Sequence, residues 1–254
     1  MAIARSWDGS SYDRLSSPME ALGREVVARL ELRGDETVLD AGCGSGRVTE
    51  PLLERLPHGR VIGVDGSPSM IEAARERLGD RVDLRVADLM GLDRGEPVDA
   101  ILSTATFHWI ADHDALFRSL RANLRDGGRL VAQCGGKGNI ASVHAAAAAA
   151  AEDARFARCL SGWRGPWNFA GPEETEARLL AAGFADARCW LEERPVTPPK
   201  PPQYLRTINL GAHLERLPDQ LHQPFVEAVL ERLGEPVTID YVRLNIDADA
   251  GAAA

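Results

Sequence analysis

The chain has 254 residues, 44% of them apolar and 26% charged, a balance that allows a large buried core and excludes fibrous and wholly disordered classes. Its 29 Lys and Arg against 38 Asp and Glu give a formal net charge of −9, and no two basic residues adjoin, so a face for neutralising nucleic-acid phosphates is not supplied. The opening MAIARSWDGSSYDR lacks a signal-peptide core, no stretch reaches the roughly 18 apolar residues of a membrane span, and Cys43, Cys134, Cys159 and Cys189 show no metal-knuckle spacing; the expectation is a cytoplasmic protein with reduced thiols, no membrane partner and no metal.

From about residue 20 to 135, short runs rich in Val, Ile and Leu alternate with helical patterns, the mark of βαβ units on a parallel sheet. TVLDAG, RVIGVD, VDLRVAD, VDAILST and GRLVAQC are the first five strands. Between them, Val48, Leu52, Leu53 and Leu56 form one helical stripe and Met70, Ile71, Ala74 and Leu78 another, the second opened by Ser67 as N-cap and Pro68 at the first helical position. After Cys134 the rhythm breaks at GGKGNI. Ala145 to Ala151 is an unbroken alanine run with helix propensity but little side chain to bury, and reads as a low-complexity tract. GPEETEARLLAAGF gives a helix closed by Gly183, and ARCWLEE a sixth strand. TPPKPPQ is a proline-rich connector. Two helical stretches, 204–217 and 221–233, precede a last strand at VTIDYVRLNI, and the tail DADAGAAA is expected to fray. The fold expected is α/β, a Rossmann-like, doubly wound, seven-stranded and mostly parallel sheet in one domain over 1–254, with helical cap insertions at 136–171 and 194–236.

VLDAGCGSGRV places Gly42, Gly44 and Gly46 in the turn between the first strand and its helix, where glycine permits positive φ and close approach of a ligand. Such a loop also serves dinucleotides. Asp40 discriminates, because a carboxylate just before the glycines repels a pyrophosphate and attracts an ammonium or sulfonium, and Arg47 stands where a dinucleotide loop has its third glycine. Asp65, ending the second strand, is placed to accept both hydroxyls of a ribose. Asp88, ending the third, is placed to accept from an adenine amino group, although each acid alone serves equally as a cap. These acids and glycines meet at one crevice along the carboxyl edge of the sheet, where open α/β folds bind ligands.

Through VLDAGCGSG, VIGVDGSPSM, VADL and DGGRLVAQ, residues 20–135 resemble the cofactor-binding core of class I S-adenosylmethionine-dependent methyltransferases. WDGSSYD, FHWIADHDAL and PWNFAGPEETEARLLAAGF are similar to the trans-aconitate 2-methyltransferase group, from which Thr104 departs where that group commonly has Asn. The resemblance implies S-adenosyl-L-methionine as cofactor, with Asp40, Gly42, Gly44 and Gly46 on its methionine part and Asp65 on the ribose. It further implies Gly66, Met70, Asp88 and Leu89 around the adenine and Ser103 and Thr104 beside the amino acid portion. Trp7 and Tyr12 would belong to a lid segment, 1–17, folding over it.

An in-line methyl transfer requires a nucleophile held at the methyl carbon and water kept away. A carboxylate acceptor is already ionised and requires no base; an alcohol, phenol or amine does, and His108, just after the fourth strand, is then the candidate. His108 equally reads as a packed, hydrogen-bonded member of FHWI. Trp163, Arg164, Trp167, Tyr204 and Arg206 in the cap segments are the acceptor-binding candidates, Arg206 as a bidentate carboxylate clamp; Arg243 is expected to alternate out of its strand into solvent. The function expected is methylation of a small molecule, a carboxylic acid such as trans-aconitate. The alternatives are a base-assisted O- or N-methyltransferase of a natural product and a non-catalytic cofactor-binding protein. STAT after the fourth strand lacks the Pro-Pro-aromatic pattern of DNA amino-methylating enzymes, and neither ILST nor VAQCGG supplies the carboxylates of metal-dependent catechol methyltransferases.

Overall fold

The computed structural model describes residues 17–93 and 95–252. The lid segment 1–17, with Trp7 and Tyr12, therefore lies outside the described residues but for its last position. Seven strands form one sheet in the order β3-β2-β1-β4-β5-β7-β6: β1 Thr37–Ala41, β2 Arg60–Asp65, β3 Asp83–Val86, β4 Val98–Thr104, β5 Leu124–Gly135, β6 Asp186–Glu193 and β7 Val242–Asp249. The first five are parallel, and β7 inserts antiparallel between β5 and β6. The α/β fold read from the sequence is the fold observed.

The first five strands are legible because parallel strands are covered on both faces and read as near-continuous apolar runs. One face carries Leu39, Ile62, Ile101 and Leu130 against α4 (His113–Asn123) and α7 (Pro172–Ala181), through Leu116, Phe117, Leu120 and Leu179. The other carries Val38, Val61, Leu102 and Val131 against α1 (Ser17–Arg29), α2 (Thr49–Glu54) and α3 (Pro68–Leu78), through Val26, Leu52 and Leu78. The stripe Met70, Ile71, Ala74 and Leu78 is the buried side of α3. Ser67 does hold the N-cap position, but its side chain makes no cap bond; its hydroxyl meets Ser69 Oγ at 3.0 Å.

A third apolar cluster joins two separated parts of the chain above the carboxyl edge of the sheet. It contains α5 (Ala141–Ala151) and α6 (Ala157–Leu160) from the first part. From the second come α8 (Pro201–Tyr204), a π-helical turn over Leu205–Asn209, α9 (Gly211–Leu214) and α10 (His222–Leu233). The alanine run is not an idle tract. Ala146, Ala147, Ala150 and Ala151 are buried in this cap, because methyl-sized side chains let α5 approach the Phe225 and Val229 side of α10 closely.

The last strand begins and ends later than the sequence suggests. Residues 247–249 do not fray; they pair with Arg129–Val131 on one side and Asp186–Arg188 on the other. Beyond them the Ala250 amide donates to the Gly128 carbonyl at 2.8 Å.

Candidate active site

Hydrogen bonds stitch together the carboxyl ends of β1, β2 and β4. The amides of Gly42 and Cys43 donate to the Val64 carbonyl at 2.7 and 3.0 Å, so the loop after β1 turns over the end of β2. Asp65 spans the crevice, its Oδ2 accepting from the Gly44 amide at 3.0 Å and its Oδ1 from the Ser67 amide at 2.8 Å. From the β4 side, Ser103 Oγ donates to the Ala41 carbonyl at 2.6 Å and Thr106 Oγ1 to the Gly42 carbonyl at 3.2 Å. Thr104, between them, is half-buried.

The loop glycines serve different ends. A Cβ on Gly46 (φ +82°) would sit 2.6 Å from Leu78 Cδ1, and one on Gly42 (φ +85°) would strike Thr106, so these two let the loop pack down. Gly44 (φ +54°) has no atom within 4 Å of where its Cβ would be; its missing side chain leaves space for a ligand against the backbone.

Asp40 lies beneath this loop, wholly buried, with Oδ2 accepting from Thr49 Oγ1 at 2.7 Å. Burial pushes its carboxyl up to about 7 against the Thr49 bond, and the charge of Asp65 pushes the same way. Asp65 is also raised, by burial, against its bonds from Ser67 and Gly44. Two desolvated acids face one crevice, an environment that a cation would relieve. Along the crevice's outer rim Gly66 and Asp88 are exposed, and Asp88 caps the short turn after β3 by accepting from the Met90 amide at 3.0 Å. Met70 and Leu89 are buried, Leu89 in the core cluster with Ile62 and Val64.

Beside the end of β4, a cavity of about 60 Å³ is lined by Ala105, His108, Trp109, Asn139, Tyr241 and Arg243, and further by Trp167, Phe169 and Asn209. His108 accepts the Gly135 amide on Nδ1 at 3.2 Å, which leaves its proton on Nε2 as a donor. Burial, then the charge of Arg243 and the neighbouring His113, drive His108 down to about 3. The ring is neutral near pH 7, and a nitrogen engaged as acceptor with so low a pKa is a poor general base.

Arg243 corrects the sequence expectation: it is 4% exposed and lines the cavity. The cause is the position of β7, which is interior to the sheet, with Leu244 and Ile246 in the core on one face and Arg29 of α1 over Asn245 and Asp247 on the other. Arg243 Nε donates to Gln133 Oε1 at 3.4 Å, and Gln133 Nε2 donates to Asn245 Oδ1 at 2.9 Å, which Arg29 also reaches. The residue picked as a clamp, Arg206, is instead exposed on the π-helical turn. Tyr204 stands behind the cavity wall, its hydroxyl 3.0 Å from that of Tyr241, and Asn209 Nδ2 donates to Tyr241 Oη at 3.1 Å.

Trp163 and Arg164 line a second cavity, of about 200 Å³, on the far side of Trp167. Asn139, Phe169, Asn209 and Tyr241 were not picked from sequence because chain distance hides their convergence. Arg243 could have been found from its polar alternation with Asn245 and Asp247 in an otherwise apolar strand. Among the described residues no cluster of His, Cys, Asp and Glu is arranged to hold a metal ion, and no helix is long and apolar enough to cross a membrane.

A family model described as a methyltransferase domain matches residues 38–128, the segment that carries the crevice. The chain is 38% identical over 128 residues to a trans-aconitate 2-methyltransferase of Azoarcus sp., a match covering 50% of each chain. It is 29% identical over 242 residues to one of Acidovorax sp., covering 91% of this chain and 90% of that one. Residues 38–128 are thus a methyltransferase domain. In the Azoarcus match, as in several like it, it spans about half the relative's length. A phosphoethanolamine N-methyltransferase 2 of Haemonchus contortus, solved with phosphomonomethylethanolamine and S-adenosylhomocysteine, shares this fold. The two superpose with a TM-score of 0.62 at 18% identity, over 96% of this chain and 57% of that one.

Proposed function

We propose that this methyltransferase uses S-adenosyl-L-methionine to methylate the carboxylate of a small molecule. The cofactor fits the crevice on two observations: the open space at Gly44, and two buried carboxylates, Asp40 and Asp65, raised by burial. When bound, the cofactor supplies a methyl group activated by a positively charged sulfur. Asp40, with the backbone of Gly42, Gly44 and Gly46, would hold the methionine part, and Asp65 the ribose, exchanging its bond to Gly44 for ribose hydroxyls. Gly66, Met70, Asp88 and Leu89 would border the adenine, and the peptides of Ser103 and Thr104 the amino acid portion.

The observation that carries the acceptor assignment is the pairing of Arg243 with a neutral His108 in one cavity beside β4. A guanidinium presents a planar fork matched to a carboxylate, and His108 Nε2–H adds a neutral donor. A carboxylate with a pKa near 4 is already ionised at neutral pH, so orientation and exclusion of water by Trp109, Trp167 and Phe169 suffice. The base-assisted alternative is disfavoured by the state of His108. Likeness to trans-aconitate 2-methyltransferases supports an acid acceptor.

The test is turnover with methyl-labelled cofactor on a panel of small acids and their alcohol and amine counterparts, with mass spectrometry of the product. Methyl esters are expected, and Arg243→Gln should raise KM for the acid by about 10- to 100-fold, the worth of a charged hydrogen bond. Ether or N-methyl products from a protein that leaves the acids untouched would overturn the proposal.

A further inference from the structure

We propose that the second cavity receives the aromatic body of the acceptor, so that the preferred substrate is an aryl-bearing monocarboxylate rather than a compact polycarboxylate. This rests on the carboxylate reading above and specifies the rest of the molecule. The cavity of about 200 Å³ exceeds the roughly 150 Å³ that holds a benzene ring in an apolar protein interior. Trp167 lines both cavities, and on this proposal a molecule whose carboxylate lies at Arg243 reaches past the edge of this indole into the larger space.

The walls select a flat, uncharged group. Trp163 and Trp167, with ring centroids 6.0 Å apart, offer aromatic faces. Opposite them the alanine run contributes Ala147, Ala148 and Ala151, and larger residues there would fill the space; the run thus keeps a chamber open as well as packing α5. Charge points the same way. Arg243 is the cation lining the first cavity and the exposed Arg164 the one lining the second, among the described residues. A tricarboxylate would set two further negative charges against indole, alanine and imidazole with the solvent-exposed Arg164 as their one cation among the described residues, so at least one charge would be desolvated unpaired, which is costly. His144 Nε2 is buried in the chamber wall without a hydrogen-bond partner, and a polar substituent on the ring would meet it.

The experiment is calorimetric binding to the protein saturated with S-adenosylhomocysteine, using propionate, 3-phenylpropionate, 3-phenylpropan-1-ol and tricarballylate. The ring should tighten binding of 3-phenylpropionate over propionate by about ten- to a hundredfold, and tricarballylate should bind more weakly than 3-phenylpropionate. Ala148→Phe, on an exposed part of α5 that tolerates bulk, should erase the advantage of the ring. Tighter binding of tricarballylate, or a ring advantage that survives Ala148→Phe, would overturn the inference. Failure of the carboxylate reading looks different: 3-phenylpropan-1-ol would match 3-phenylpropionate and Arg243→Gln would change neither, whatever Ala148→Phe does.

Discussion

Asp40 and His108 are the two residues whose environment most changes their chemistry, and they act on stability with opposite signs. Asp40 titrates near 3.9 when unfolded and at about 7 when folded, so the native state holds a proton that the unfolded state has lost. Its stabilisation is complete below about pH 4 and disappears as pH rises through 7, a change on the order of 4 kcal/mol at most. His108 goes from about 6.5 unfolded to about 3 folded, so its contribution is present above pH 6.5 and is lost as pH falls toward 3. Asp40→Asn keeps an oxygen for Thr49 and removes the first effect. Thermal melts from pH 5 to 8 should show the wild type losing stability relative to this variant as pH rises; parallel curves would mean that Asp40 is ionised throughout. The acids and their spacing were legible in sequence, but burial was not, and burial decides whether His108 is a base or a donor.

Among elements, the turn of the glycine loop and its positive-φ glycines were legible because they lie in one contiguous stretch, VLDAGCGSGRV. The structure divides the labour within it. Gly46→Ala places a methyl against Leu78 and should cost about 1 to 3 kcal/mol by overpacking, in addition to about 1 to 2 kcal/mol for a left-handed alanine. Gly44→Ala carries only the second cost and should fold, yet it should bind S-adenosylhomocysteine at least tenfold more weakly because its methyl enters the ligand space. Denaturant unfolding and calorimetry on both variants separate the effects; wild-type affinity in Gly44→Ala would remove this loop from the site. The alanine helix α5 was misjudged because a run without large side chains has no visible stripe, and only the close approach of α10 shows what the small residues are for. The proposed clamp moves from Arg206 to Arg243 for a related reason: exposure of the first and burial of the second depend on neighbours far away in the chain.

For the whole molecule, the carboxyl edge of the sheet is completed by its last strand, β7, which brings Arg243 to the cavity and closes the sheet between β5 and β6. The tail past Ile246 was expected to fray as a chain end; Asp247 in fact meets Arg29 of α1 at 3.4 Å, and the backbone of 247–249 is paired on both sides. A chain ending at residue 246 should lose about 1 kcal/mol for each backbone hydrogen bond removed, several in all, seen as a lower melting temperature. An unchanged melting temperature would show the tail to be an ornament of the sheet.

The central claim is that the molecule orients an ionised acceptor and removes no proton from it. The most direct measurement is the maximal rate of carboxylate methylation against pH, for the wild type and for His108→Gln. With His108 neutral and engaged on Gly135, the wild-type rate should be nearly flat between pH 6 and 8, and His108→Gln should retain most of it. A general base contributes about 10²- to 10⁴-fold; a loss of that size in a variant that still binds cofactor normally, with a wild-type rate climbing through an imidazole pKa, would contradict the account.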